Sequence, residues 1–509
     1  MTVALIAGLI VISFMALYAL PSRQMVAPPK IAVVEKPVVP VVELWLSTAD
    51  RRLKLEPQPD IAMSARGKAD ADIVVDVHKT YQSMVGFGAA MTDSSAWLIQ
   101  NKLNALQRAA LLHELYGPPP NLDFNMMRLT IGASDFSLKP YTLDDVPVGD
   151  SDPSLEHFNV ASNLLDVIPT VRQILAIDPQ LAIVATSWSA PAWMKSSENL
   201  IGGTLLEQYE SVYADYLLKY IDTYRKYGIP IFALTLQNEP AFQPLTYPGM
   251  AMGSEQRTRL IANYLGPKLA TRKPFTRIME WDHNWSHPEQ ASSVLAYPEA
   301  ARYVDSIAWH CYEGSPYAQG RLHRAFPSKD AYLTECSGGD WASSIHGELL
   351  WFSRNLLIAS IRQWARGVIY WNLALDENHG PHFGGCANCK GVITIDSKTG
   401  EVSRNDEYYA LAHFSRFVLP GAFRVNSTDT DKGIANVAFQ NTVDSSIVLV
   451  VVNSNAEERH LSVVDDQSRF EYMMPPKSVG TFVWSQYPGL SLIRRAAWWV
   501  QARMAKSGL

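Results

Sequence analysis

The chain carries no excess of basic residues: 44 Lys and Arg stand against 50 Asp and Glu, a formal net charge of −6 at pH 7. No basic surface for nucleic acid is implied, so nucleic acid is not among the expected partners. Cysteine is scarce, with four residues in 509. Two of them form Cys386-Ala387-Asn388-Cys389 and two, Cys311 and Cys336, stand alone in apolar runs. The apolar run Val3–Leu20 has no Lys or Arg before it and no clear small-x-small cleavage site after it, while Arg23, Lys30 and Lys36 follow. This favours an uncleaved membrane anchor over residues 1–22 rather than a removed signal peptide, and an extracytoplasmic location, secreted or membrane-anchored. Pro28, Pro29, Pro37 and Pro40 then mark residues 23–42 as an extended spacer that would hold a folded domain off a membrane.

What is present is an ordinary folded composition, 47% hydrophobic and 18% charged, long enough for a large domain and a smaller one. Apolar runs of strand length recur at Gly86–Ala90, Asn125–Ile131, Leu181–Trp188, Ile231–Leu236, Arg277–Trp281, Val304–Tyr312, Ala331–Thr334 and Gly367–Leu375. Helix-length segments such as Leu205–Tyr227 and Gly347–Trp364 separate most of them. Eight strands alternating with helices predict an α/β protein with a (β/α)8 TIM barrel over residues 84–419. Short alternating strands at Glu43–Ser47 and Ile73–Val77 precede it, within residues 43–83. Others follow within residues 420–487, at Gly433–Phe439, Ser446–Val452, His460–Val464, Arg469–Met473 and Val479–Trp484. Residues 488–509 end the chain, and Ser491–Leu509 reads as a helix carrying Arg494, Arg495, Arg503, Lys506 and the pair Trp498-Trp499. It is either an interfacial membrane helix or one docked on the fold.

Two of the barrel strands end in Glu. Thr235-Leu236-Gln237-Asn238-Glu239-Pro240 closes the fourth and Leu333-Thr334-Glu335-Cys336 the seventh, at the end of a barrel where enzymes of this architecture keep their chemistry. Cleaving an acetal needs a proton for the leaving oxygen and an anion facing the oxocarbenium-like carbon, so two carboxyls in different surroundings point to glycoside cleavage. Asn238 would project away from Glu239 unless the strand end is kinked, which the following Pro encourages.

The motifs Gly86-Phe87-Gly88-Ala89-Ala90-Met91-Thr92-Asp93, Arg128-Leu129, Ser134-Asp135-Phe136-Ser137, Ser187-Trp188-Ser189-Ala190-Pro191-Ala192-Trp193-Met194-Lys195, Asn238-Glu239-Pro240, His310-Cys311-Tyr312, Thr334-Glu335 and Trp371-Asn372-Leu373-Ala374-Leu375 occur in this order. In them the chain, from about Tyr81 to Val425, resembles glycoside hydrolase family 30, the glucosylceramidase-like enzymes. The resemblance implies that Glu239 is the general acid/base and Glu335 the nucleophile of a retaining mechanism, with their carboxyls about 5–5.5 Å apart. It implies that Asn238 binds the sugar hydroxyl beside the reacting carbon and that Asp135, Trp188 and Trp371 line the glucose pocket. His310 and Tyr312 would support the nucleophile, and Arg128 would hold Glu335 ionised. It further implies that the N- and C-terminal strands share one β-sandwich beside the barrel. Taken singly, each Trp reads as core, His310 as a core histidine and Arg128 as a structural ion pair.

The loop after the eighth strand holds His379-Gly380-Pro381-His382 and the Cys-x-x-Cys pair, followed by a hairpin of Val392–Ile395 and Glu401–Ser403. Two His and two Cys could bind zinc, but a local disulfide or free thiols are equally compatible, and the animal enzymes of the resembled family lack the pair. Cys311 and Cys336 read as buried thiols pointing away from the barrel axis. No cofactor or metal is required by the chemistry. The expectation is a β-glucosidic hydrolase, glucosylceramidase-like, whose partner is a β-glucoside substrate, glycolipid or glucan. An endo-β-1,6-glucanase is the alternative, and a non-catalytic carbohydrate-binding envelope protein is more distant. Membrane association would run through the N-terminal segment and the C-terminal helix.

Overall fold

The computed structural model describes residues 41–341, 348–430 and 433–485. The apolar run Val3–Leu20, nearly all of the Pro-rich segment and the basic tail Ser491–Leu509 lie outside the described residues. Among the described residues no helix is long and apolar enough to cross a membrane. The spacer ends slightly earlier than expected, since Val41 and Val42 already open the strand Val41–Thr48.

Eight parallel strands close a barrel in chain order: Gly86–Met91, Met126–Ile131, Ala182–Ser187, Ala233–Thr235, Arg277–Asn284, Val304–His310, Asp330–Glu335 and Ala365–Tyr370. The eighth pairs with the first at Gly367 and Gly86. All eight fall where the apolar runs predicted, and the differences are at their ends. The fifth runs on to Asn284. The eighth stops at Tyr370, and after Asn372, whose φ is 63°, Ala374–Leu375 enters a small sheet with Ile393–Ile395 and Val402–Arg404, which contains the expected hairpin.

Alternation along the strands builds the barrel interior in layers. Met126, Val184, Ala233, Ala308 and Tyr332 form an apolar lower layer. Two residues on, the same strands carry Arg128, Thr186, Thr235, His310 and Thr334, all buried. The intervening Met127, Leu129, Ile183, Leu234 and Leu333 face outward into the large core shared with the helices. A polar layer therefore sits on an apolar plug at the mouth of the barrel.

Gly338–Gly339 and Cys389–Lys390 make a two-stranded sheet, and the remaining strands form one ten-stranded sheet, in which Val41–Thr48, Glu56–Ala62, Ser64–Ala65 and Ile73–Ser83 join six strands from the C-terminal part. Every residue of Ser446–Asn453 is buried, which explains why this strand reads as a continuous apolar run rather than an alternating one. Ile447, Leu449 and Val451 fill the interior of the side domain, while Val448, Val450 and Val452 join the core of the barrel. Trp45 does the same from the other end of the chain, packing on Phe417 with ring centroids 4.7 Å apart. The strand Glu56–Ala62 carries Pro57 and Pro59 and showed no alternation; it lies at the edge of the sheet, where proline is tolerated.

Candidate active site

Two irregularities in the backbone assemble the site. In the fifth strand Met279 faces the barrel interior, so Trp281 should follow it inward. Instead Trp281 and Asp282 have φ of 78° and 56°, and the register against the sixth strand slips from Ala308 opposite Trp281 to Trp309 opposite His283. This bulge turns Trp281 out into the surrounding core and Asp282 into the barrel. The second irregularity is Glu239, whose φ of 45° is a left-handed conformation for a non-glycine residue. It lets neighbouring Asn238 and Glu239 reach the same space, which confirms the expected kink but places it at Glu239 itself.

Arg128 organises the floor. Its guanidinium donates to Glu335, to Asn238 Oδ1 at 2.8 Å and to Asp282 Oδ2 at 2.9 Å. The same group lies 4.8 Å from the Trp188 ring centre and 5.5 Å from that of Trp371. These two rings stack on each other at 5.1 Å and 20°. Asp282 accepts further bonds from the hydroxyls of Thr186, Thr235 and Thr334. Burial opposes its charge, but Arg128 and its other donors win and hold the carboxyl well below the usual range.

Glu335 also accepts from the Tyr312 hydroxyl at 2.9 Å, and the Tyr312 amide is fixed by Asn284 Oδ1 at 3.0 Å. Arg128 and Tyr312 thus both hydrogen-bond Glu335. His310 does not. Its Nε2 is 3.1 Å from Asp282 Oδ1, which swings Nδ1 to 3.0 Å from Glu239 Oε1 and leaves Glu335 Oε1 at 3.8 Å. It is thus a partner of Glu239 before it is one of Glu335. These two contacts bound the separation of Glu239 Oε1 and Glu335 Oε1 to about 7 Å or less, which covers the roughly 5–5.5 Å of direct attack and reaches only the lower end of the roughly 6.5–9.5 Å that admits an intervening water.

Charge is distributed in a way the sequence did not suggest. Burial raises the Glu239 carboxyl, but the neighbouring His283 and His310 outweigh it and hold it below the usual carboxylate range. Burial lowers the His310 imidazole, yet the Glu335 and Asp282 carboxylates push it up to about 9. The lowered Glu239 carboxyl and the raised His310 imidazole both favour the charged form of this hydrogen-bonded pair over its neutral form. Asp135, buried and near the charge of Glu335, is pushed up to about 8.

The pocket wall is apolar. Ala90, Phe136, Trp188, Trp371, Leu375 and Cys389 form one buried cluster. The long loop closes over it: the Phe383 amide donates to the Asp135 carbonyl at 2.6 Å, and a side chain at Gly385 would meet Asp135 Cβ at 2.5 Å. Cys386 and Cys389 are joined in a disulfide. Cys311 and Cys336, expected as free thiols, are also joined. The register explains this, because His310 pairs with Glu335 and the next residue of each strand falls side by side, directed outward as anticipated, with Cα atoms 5.3 Å apart.

Residues 84–418 match the Glycosyl hydrolase family 30 TIM-barrel domain, and residues 421–482 match the Glycosyl hydrolase family 30 beta sandwich domain. The chain belongs to glycosyl hydrolase family 30. It is a glycoside hydrolase of that family, with the TIM barrel and β-sandwich the sequence predicted. It is 34% identical to an endo-1,6-β-D-glucanase of Aspergillus fumigatus over 431 residues, 79% of this chain and 85% of the relative. Identity to the lysosomal acid glucosylceramidase of Mus musculus is 29% over 435 residues, 81% of this chain and 83% of the relative. A solved endo-β-1,6-glucanase superposes with a TM-score of 0.82 at 31% identity, covering 88% of this chain and all of that one.

Asp282 and His283 were missed because the fifth strand was ended at Trp281. The signal was present, since Asp282-His283-Asn284 is a polar triplet at the end of an apolar strand that faces the two Glu. The Arg128–Asp282 pair is fully buried, so removing one partner leaves an uncompensated charge. Arg128→Leu should lower the unfolding free energy by about 3–5 kcal/mol. In the intact protein the contribution of Asp282 is present above about pH 4 and is lost as pH falls below it, because its folded value is depressed. Denaturant unfolding at neutral and acid pH measures both, and the pH slope should flatten in the variant.

Proposed function

We propose that this family 30 enzyme is a retaining endo-β-1,6-glucanase. The reading rests on the sequence likeness to the Aspergillus fumigatus enzyme named an endo-1,6-β-D-glucanase, which exceeds that to the mouse glucosylceramidase. The glucosylceramidase-like substrate first inferred from the motifs is thereby displaced to second place. Exposed Phe242, Tyr312 and Trp341, which follow the fourth, sixth and seventh strands, offer faces on which glucose rings of a longer chain could stack on either side of the cleavage point. Two disulfides suit an oxidising compartment, in keeping with an extracytoplasmic location.

In this mechanism one glucosyl ring stacks in the pocket of Trp188, Trp371 and Asp135, with Asn238 on the hydroxyl next to the anomeric carbon. Glu335, bound by the Arg128 guanidinium and oriented by Tyr312, attacks that carbon as its bond to the leaving oxygen breaks. The leaving oxygen takes a proton from Glu239. That proton comes from His310 Nδ1 across the 3.0 Å contact, favoured once substrate excludes water and the neutral pair costs less than the ionic one. Glu239 then accepts a proton from water, whose oxygen attacks the anomeric carbon and releases Glu335, and passes that proton back to His310 Nδ1 to restore the starting state.

Assaying β-1,6-glucan, glucosylceramide, xylan and an aryl β-glucoside in parallel tests the substrate. β-1,6-Glucan should be cleaved to short oligosaccharides with a kcat/KM at least about tenfold above that for glucosylceramide. Preference for the glycolipid would restore the second reading. The double variant Cys386→Ser/Cys389→Ser, by loosening the loop against Asp135, should shift this preference and cost about 2 kcal/mol of stability, while changing the rate on the aryl glucoside less than either. A selective loss of the aryl glucoside rate would mean that the loop carries chemistry.

A further inference from the structure

We propose that Glu239, His283 and His310 form a binding site for a divalent transition-metal cation such as zinc, and that the cation inhibits the enzyme reversibly by capturing its acid/base. One possible ligand atom from each of Glu239, His283 and His310 lies within 4.8 Å of the other two. Glu239 Oε1 is 3.0 Å from His310 Nδ1 and 3.5 Å from His283 Nδ1. Ligand atoms about 2.0–2.1 Å from a tetrahedral zinc stand roughly 3.3–3.5 Å apart, so one contact already has that spacing and the other must open by a few tenths of an ångström.

A separate observation points to a missing ligand. His283 is about nine-tenths buried, and its Nδ1 makes no hydrogen bond: it stands beside Glu239 Oε1 at 3.5 Å, close enough to influence that carboxyl but too far to bond it well. A buried nitrogen left without a partner costs free energy that a metal bond would offset. His283 reaches this place only through the bulge at Trp281 and Asp282. The surroundings are also those of a metal-binding histidine. His310 Nε2 is held by Asp282 Oδ1 at 3.1 Å, so its Nδ1 lone pair is directed at the site once that nitrogen gives up its proton to solvent on metal binding. Two imidazoles and one carboxylate leave a fourth position for water. All four cysteines are in disulfides, so no thiol competes for the ion.

Occupancy itself follows from the geometry alone, whereas inhibition rests on the acid/base role given to Glu239. The two are separable by experiment. The full-length enzyme is titrated with cobalt(II) chloride, read by the visible d–d absorption of a tetrahedral ion, and with zinc chloride, read by calorimetry and by aryl glucoside hydrolysis. One equivalent should bind and give the tetrahedral band. Zinc should abolish hydrolysis, and EDTA should restore it. His283→Gln and His283→Asn should each weaken zinc binding at least about tenfold and erase the band. Absorption needs folded protein but not activity, so a catalytic defect in these variants does not obscure the result. Absence of binding at about 1 mM, or binding unchanged in both variants, would overturn the site. One bound equivalent with undiminished hydrolysis would overturn the inhibition, and with it the role of Glu239.

Discussion

Glu335→Gln should lose turnover of every substrate, by a factor on the order of 10⁵ or more, about 7 kcal/mol of transition-state stabilisation. The size follows from the position of this carboxylate. It takes a buried guanidinium bond from Arg128 and a hydroxyl bond from Tyr312, so a neutral amide there forfeits both the nucleophilic charge and the partner that Arg128 was placed to neutralise. Leaving-group quality should make no difference, because the nucleophile is needed however readily the leaving group departs. An added anion such as azide should recover part of the rate on an aryl β-glucoside and give the α-glucosyl azide. Residual turnover within about a hundredfold of the parent enzyme would exclude Glu335 as the nucleophile.

Glu239→Gln should divide substrates instead. Hydrolysis of β-1,6-glucan, whose alkoxide leaving group must be protonated, should fall by about 10²–10⁴-fold. The first step on a dinitrophenyl β-glucoside, whose leaving group needs no proton, should stay near the parent rate. Glycosyl-enzyme should then accumulate, because the second step has lost its base, and azide should release it as the β-glucosyl azide. Rapid-mixing kinetics separates the two steps. Equal loss of glycosylation on both substrates would assign the proton transfer to another group, with His310 first in line at 3.0 Å from the same oxygen.

The barrel was legible because its strands announce themselves. A parallel strand buried on both faces must be an apolar run, and eight such runs separated by helical lengths leave few alternative architectures. Glu239 and Glu335 were legible for a related reason, since an acidic residue ending such a run is a departure from the apolar pattern. What stayed hidden depends on backbone deviation. Asp282 faces the interior only because two left-handed residues reverse the alternation that a sequence reader must assume. The same assumption hid the closeness of His283 to Glu239. The pairing of Cys311 with Cys336 required the register of the sixth and seventh strands, which depends on a shift at Trp309 and His310. The electrostatic surroundings of Glu239 were hidden too: a carboxyl expected to carry a proton is lowered by two neighbouring imidazoles, one of them absent from the motifs. Substrate choice lies in loops rather than in the catalytic pair, and the motifs shared by glucanases and glucosylceramidases could not separate them.

The claim that binds these points together is a double displacement at a β-1,6-linked glucose. Proton NMR of a β-1,6-gluco-oligosaccharide digest, recorded in the first minutes before mutarotation, tests it most directly. The newly formed reducing end should appear as the β-anomer and only later equilibrate with the α-anomer. An α-anomer formed first would mean a single inverting displacement and would contradict the roles given to Glu239 and Glu335.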